Sequence, residues 1–89
     1  MPREELQTAS DELRQAAADL EGDLRERVYD QSSQLAKLAT RDLGPDHGRL
    51  DRHMNALSEI AEGLDGEPRD LVESARDHVR EYRTGVEGV

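Results

Sequence analysis

Histidine is the residue type in this chain with the widest capacity for chemistry, and it occurs three times, as His47, His53 and His78. A helical metal site pairs two histidines four residues apart, or a glutamate with a histidine three residues later, and neither spacing occurs. Cysteine is absent, which removes thiolate ligands, disulfides and a cysteine nucleophile. We therefore predict no metal ion and no cofactor.

The serines, glycines and acids form no catalytic pattern either. No Gly-x-Ser-x-Gly elbow is present, and the glycine-containing segment 44–48 lacks the Gly-Lys-[Ser/Thr] ending of a phosphate-binding loop. Carboxylates are numerous, but a carboxylate must be desolvated to transfer protons at neutral pH, and most of these should face water. The sequence predicts a protein that is not an enzyme, with no catalytic residues and no small-molecule substrate.

Arginine, by contrast, is clustered in a way that suits the binding of a partner. One cluster surrounds a central loop, where a rigid hairpin would expose polar side chains. We predict that it is the partner-binding surface, and its residues are Arg41, His47, Arg49, Arg52, His53 and Asn55. A second cluster shares one face of the last helix and would contact phosphate if the protein binds nucleic acid instead; its residues are Arg76, Arg80 and Arg83. At the central loop the alternative is a loop that simply caps two helices. For phosphate contact the alternative is ordinary ion pairing with Glu73, Asp77 and neighbouring acids.

The charge balance weighs against nucleic acid as the main partner. The chain has 21 acidic and 12 basic residues, a net charge of −9, and only two aromatic residues for base stacking. Its acidity, its single lysine (Lys37) and its lack of phenylalanine and tryptophan indicate adaptation to salt, because about 1 M salt shortens the screening length to about 3 Å. We expect a high-salt cytoplasm, no membrane contact, and a partner that is another protein or a second copy in a homodimer.

Four stretches with apolar residues at helical spacing must position these side chains. Helices are predicted over roughly 2–21, 23–43, 47–63 and 67–84, within a single domain of residues 1–89. Short connections place consecutive helices side by side, so the predicted fold is an all-α, antiparallel up-down four-helix bundle. Asp23, with Glu26 three residues later, is the predicted N-cap of the second helix. Gly22 leaves an alternative open, because one interior glycine costs a helix only about 1 kcal/mol and a fused first helix would favour an intertwined dimer.

The two halves of the chain match at an offset of 44 residues. The segments LEGDLRERV at 20–28 and LDGEPRDLV at 64–72 share their leucine, glycine, arginine and valine positions. Since 44 is not a multiple of seven, heptad spacing alone does not produce the match. The match indicates two pseudo-repeated αα-hairpins. The alternative is that any two helical hairpins would share this spacing of leucines and a glycine turn.

Several short motifs resemble a family of small, acidic, helical haloarchaeal proteins that is classed as a domain of unknown function. The motifs are LAKLATRD at 35–42, GPDHGRL at 44–50, RHMNAL at 52–57, EYR at 81–83 and VEGV at 86–89. Leu43 departs from the polar residue expected at its position. The resemblance covers nearly the whole chain and implies a stand-alone domain in a haloarchaeal cytoplasm. It implies no activity and no catalytic residues.

Overall fold

The structure is a computed structural model that describes residues 3–40 and 47–85. Its four helices are α1 (Arg3–Ala18), α2 (Gly22–Ala39), α3 (His47–Glu62) and α4 (Gly66–Gly85). No strand occurs within the two described ranges. The prediction of an all-α chain with four helices is therefore confirmed.

The turn after α1 begins three residues earlier than the sequence predicted. The N–H groups of Asp19 and Leu20 donate to the carbonyls of Ala16 and Ala17, at 3.1 and 3.0 Å, and this i to i−3 bonding tightens the chain and ends the helix at Ala18. The turn after α3 repeats both bonds at 3.0 Å and at the same offset of 44, between the donors Gly63 and Leu64 and the acceptors Ile60 and Ala61.

Glycine at the start of α2 and α4 reverses the chain. Gly22 and Gly66 have φ values of +63° and +65°, in the left-handed region that a side chain disfavours. No single helix therefore runs through Gly22. The prediction of Asp23 as N-cap was wrong: Glu21 occupies the N-cap with extended backbone and no side-chain cap, and Asp23 lies in the first turn, where its charge complements the helix dipole.

At its other end, α2 finishes at Ala39, four residues before the predicted position. Thr40 follows as the C-cap, and its hydroxyl donates to the Lys37 carbonyl at 3.0 Å, which satisfies one of the last acceptors of the helix. The remaining predicted residues, 41–43, lie outside the described ranges.

All four helices contribute to one apolar core, which is rich in leucine and alanine. The most deeply buried members of this core include Leu6, Ala9, Leu13 and Ala16 from α1, Val28 and Leu35 from α2, Leu50 and Leu57 from α3, and Val72, Ala75 and Val79 from α4. Alanine takes the place of larger side chains at several of these positions, and it lets neighbouring helices approach closely.

The helices do not pack against one another to the same extent. α1 packs extensively against both α2 and α4, and α4 also packs against α3. The Ser10 hydroxyl of α1 donates to the Ser32 carbonyl of α2 at 2.8 Å, which ties these two helices inside the core. Contact between α2 and α3 is much sparser. Within the described ranges, no helix is long and apolar enough to cross a membrane.

Candidate binding site between α2 and α3

Two seams between helices become comparable when the 44-residue offset is applied. We call the contact of α1 with α4 the closed seam; the polar residues Glu5, Glu12, Ser74 and His78 meet there, and the same two helices carry the buried alanines Ala9 and Ala75. We call the contact of α2 with α3 the open seam; it contains Gln31 and His53 and is lined by Gln34, Lys37, Leu38, Thr40 and Arg49.

The closed seam is packed in its interior and bridged at its edge. Ala9 of α1 and Ala75 of α4 are both fully buried, and each contributes only a methyl group to the core. At the edge, the Nδ1 of His78 donates to the Oε2 of Glu5 at 2.7 Å, and its Nε2 lies 3.5 Å from the Oε1 of Glu12. The Ser74 hydroxyl donates to the Oε2 of Glu12 at 2.8 Å. One histidine thus lies between two carboxylates across the seam and donates to one of them.

The open seam has larger polar residues where the closed seam has alanine. His53 lies 44 residues after Ala9, and Gln31 lies 44 residues before Ala75. The Nδ1 of His53 donates to the Oε1 of Gln31 at 2.7 Å, so this pair spans the seam. An imidazole and an amide fill more space than two methyl groups, which explains why α2 and α3 stand further apart.

His53 is held in its neutral form by its surroundings. Its side chain is only 6% exposed, and this burial is the main cause that lowers the pKa of His53 below its usual 6.5. The Arg49 and Arg52 guanidinium groups lower the pKa further, while the Asp30 carboxylate opposes them. A neutral ring with Nδ1 donating to Gln31 leaves Nε2 as the nitrogen that remains for a ligand.

The separation of α2 and α3 leaves a groove of about 350 Å³ at the end of the seam. Its walls come from both helices, with Gln34, Lys37, Leu38 and Thr40 on one side and Arg49 and His53 on the other. Two cationic side chains therefore border a polar groove in a chain whose net charge is −9.

The predicted partner-binding residues are only partly brought together. Arg49 and His53 line the groove, and Arg52 lies close enough to influence the pKa of His53. His53 is buried, whereas the sequence predicted an exposed surface. Asn55 is exposed and is not part of the groove lining. Arg41 and the side chain of His47, which were also predicted to bind the partner, lie outside the described part of the chain.

Sequence reasoning missed the α2 side of the groove. The predicted partner-binding residues do not include Gln31, Gln34 and Lys37, because on a single helix these three resemble ordinary boundary and surface residues. The signal lay in the repeat: Gln31 is matched to an alanine at the offset of 44, and Lys37 to Glu81. A bulky or oppositely charged residue at a repeated position indicates that the two copies do not pack alike.

The arginine cluster on α4 is engaged within the chain. Arg80 pairs with Asp77 at 3.3 Å, and Arg83 pairs with Asp51 of α3 at 2.8 Å. Arg76 donates to the Ser58 hydroxyl at 3.0 Å, and its guanidinium also lies near the Asp77 carboxylate. Phosphate binding at this cluster would have to compete with these contacts.

A second surface depression lies on the outer face of α2 around Tyr29. Tyr29 is 52% exposed, the one large apolar side chain so exposed in the described part of the chain. The depression is larger than the groove, about 630 Å³, but its lining residues, from Arg25 to Ser33, all belong to one helix. A single helix supplies one wall only, so we favour the two-walled groove as the site.

Metal chemistry finds no support in the described ranges, where no group of three histidine, aspartate or glutamate side chains is placed to hold an ion.

Fold and groove together define the class: a small all-helical protein with four helices and a polar groove between two of them. The chain belongs to a family of unknown function, DUF7553, whose model matches residues 1–85. This confirms the resemblance to a domain of unknown function. No curated protein and no solved structure matches the chain.

Proposed function

We propose that this chain is a non-enzymatic interaction protein that binds an acidic protein partner across the open seam. The observation that carries the proposal is the contrast between the seams. The same chain closes one seam with alanine and leaves the other with a polar groove bordered by Lys37 and Arg49. A polar groove that the described residues leave unfilled is a place where another molecule can add contacts.

The proposal includes a specific arrangement of the helices, an antiparallel up-down bundle of two pseudo-repeated hairpins. Contacts between α1 and α4 support it, because Glu5 meets His78 whereas the later residue Glu12 meets the earlier residue Ser74. The same reversal relates α3 to α4, where Asp51 and Ser58 contact Arg83 and Arg76, respectively. The repeated turn hydrogen bonds support the pseudo-repeat.

The charges around the groove favour an acidic partner over a second copy docked in the same way. Lys37, Arg49 and Arg52 are all exposed, and the Lys37 ammonium forms no ion pair with any residue in the described ranges. A symmetric dimer through the open seam would bring these cations of both copies together, and like charges repel. Self-association through two different faces is therefore the second outcome that the experiment must detect.

A high-salt cytoplasm is the setting that we propose, since the net charge of −9 is best tolerated where ions screen it. Circular dichroism across a salt series tests this setting. We expect helicity to be lost below a few tenths molar salt, and a sharp unfolding transition in low-salt buffer would contradict it.

The experiment is an affinity capture from a high-salt lysate with a tagged chain and two matched charge reversals. The first variant, R49E/R52E, changes the groove. The second, R25E/R27E, makes the same charge change at exposed positions on the outer face of α2. We expect a protein captured by the wild type to be lost with the first variant and retained with the second.

Capture that responds equally to both variants would overturn the proposal, and so would a captured protein of net positive charge. Light scattering on the purified chain reports self-association separately. Nuclease-sensitive nucleic acid that disappears with R76Q/R80Q/R83Q, in a variant that keeps its helicity, would favour the nucleic-acid alternative instead.

A further inference from the structure

We propose that the open seam is a pH-sensitive conformational switch. The hydrogen bond between His53 and Gln31 is its latch, and protonation of His53 lets α2 move away from α3 while α1 stays packed against α4. We call the two arrangements of the open seam the packed form and the parted form. The inference concerns a motion of the chain itself and goes beyond the proposed function, because it does not depend on what binds in the seam.

Helix packing makes this seam the place where the chain can part with the smallest loss of contact. Of the four pairs of helices that touch within the described ranges, α2 and α3 have the sparsest contact. The hydrogen bond from Ser10 to Ser32 ties α1 to α2, and the ion pair of Asp51 with Arg83 ties α3 to α4. Each hairpin therefore has contacts of its own, and regions with few contacts are the ones that open locally.

The latch joins two side chains that are largely removed from water. His53 is buried, Gln31 is half-buried, and 2.7 Å separates the Nδ1 of His53 from the Oε1 of Gln31. While the ring is neutral, Nδ1 donates to the amide oxygen and each group satisfies the other. Breaking this bond without admitting water would leave a buried donor and a buried acceptor unpaired, so the latch favours the packed form.

Protonation changes this balance because it places a positive charge inside the seam. An imidazolium has a second N–H, at Nε2, and a buried charge is costly unless it is paired or hydrated. The charged groups that act on the ring all belong to α2 and α3: Arg49 and Arg52 oppose a positive charge, and Asp30 favours it. Lys37 of α2 lines the same groove. Burial, followed by the Arg49 guanidinium, lowers the pKa of His53 below 6.5 in the packed form.

Parting the helices admits water to the ring and returns it to the surroundings of an ordinary histidine. The parted form therefore binds a proton more readily, and a lower pH shifts the population toward it. With a pKa of 6.5 in the parted form, the ratio of parted to packed molecules rises by up to about tenfold between pH 7.5 and pH 5.5. The neutral latch contributes fully above pH 6.5, and its contribution is lost as the pH falls from there toward the lowered pKa.

The test uses a single cysteine placed in the open seam, since the chain has none of its own. Leu38 lines the groove between α2 and α3 and is buried. In L38C, a methanethiosulfonate reagent therefore reaches the thiol only when the seam parts or the whole chain unfolds. Labelling of A18C, at an exposed position, gives the intrinsic reactivity of a thiol at each pH. Urea unfolding of L38C gives its unfolded fraction at the same pH values.

We expect the thiol of L38C to react faster than the unfolded fraction allows. Its corrected rate should rise by up to about tenfold from pH 7.5 to pH 5.5, and adding His53→Gln should remove this rise. In L13C, whose position in α1 is fully buried, labelling should match the unfolded fraction. Labelling of L38C no faster than global unfolding would overturn the proposal, and so would an equal excess of labelling in L13C.

The other half of the latch keeps the test informative if the variant with His53→Gln does not fold. Gln31→Met, added to L38C, removes the acceptor and should raise labelling at pH 7.5 by about fivefold or more, the effect of losing one buried hydrogen bond. An unchanged rate in this variant, or a pH response that persists in His53→Gln, would overturn the assignment of the latch. Both measurements use the purified chain alone, so they test this inference separately from the proposed function, which the capture experiment tests.

Discussion

The closed seam and the open seam use positions that match at an offset of 44 residues, yet the contact of α1 with α4 is extensive and that of α2 with α3 is sparse. The difference lies in a few residues: Ala9 and Ala75 are replaced by His53 and Gln31 at the offset of 44. Small buried side chains let two helices meet, whereas the larger, part-buried polar pair of His53 and Gln31 takes up space between α2 and α3 while its members hydrogen-bond to each other. The comparison teaches that a change of side chain at two matched positions can leave one pair of helices closely packed and the other pair sparsely packed.

The largest effect should follow from placing an open-seam residue in the closed seam. In the variant Ala9→His, an imidazole must fit at a position of α1 that is fully buried. Overpacking costs about 1–3 kcal/mol, and an unpaired polar ring adds to that cost. Because small domains have only about 5–15 kcal/mol of stability, we expect a large decrease in the urea midpoint.

The matched control for this variant is Ala18→His, at an exposed position on the same helix. It should change the free energy of unfolding by less than about 0.5 kcal/mol. Equal effects of the two substitutions would mean that the closed seam tolerates bulk, and the explanation of the contrast by side-chain size would fail.

The next largest effect concerns the His53–Gln31 pair that spans the open seam. Gln31→Met removes the acceptor of the buried Nδ1, and an unsatisfied buried donor costs about 1–3 kcal/mol. The double variant Gln31→Met with His53→Leu removes both polar groups. We expect it to be more stable than the single Gln31→Met variant, measured by urea unfolding.

The single variant His53→Leu completes a double-mutant cycle. If the losses of free energy of unfolding in the two single variants add up to the loss in the double variant, the two side chains act independently. The spanning pair would then not be what sets the distance between α2 and α3.

A smaller effect should appear when pH is varied. Burial keeps the pKa of His53 in the folded chain below the 6.5 of an ordinary histidine, so the unfolded chain binds a proton more readily. The stability that the neutral imidazole contributes is fully present above pH 6.5, and it decreases as the pH falls from there toward the lowered pKa. Urea unfolding at several pH values between 5 and 7.5 measures this slope.

The variant His53→Gln should flatten the slope in that window, because it removes the group whose pKa burial lowers. If the slope is unchanged in His53→Gln, the pH dependence of stability comes from other groups, and the histidine of the open seam does not contribute to it.

How much of this contrast the sequence could predict depends on the level of structure. Apolar spacing and the turn glycines predicted four helices, and their starts and ends fall within four residues of the structure. They could not predict that His53 is buried, because its exposure depends on how far α2 stands from α3, and periodicity describes one helix at a time. The prediction of Asp23 as the N-cap of α2 was wrong because the helix already begins at Gly22, whose φ is positive.

The smallest expected effect is at the edge of the closed seam, and it decides what keeps that seam closed. Glu5→Gln removes the charge opposite His78 but keeps an oxygen that accepts from Nδ1. Both side chains are about one-third exposed, 39% for Glu5 and 32% for His78. Exposed ion pairs contribute about 0–1 kcal/mol, so the urea midpoint should barely change. If Glu5→Gln instead cost as much as Ala9→His, the ion pair rather than the buried alanines would hold α1 against α4. That result would separate the effect of charge from that of side-chain size.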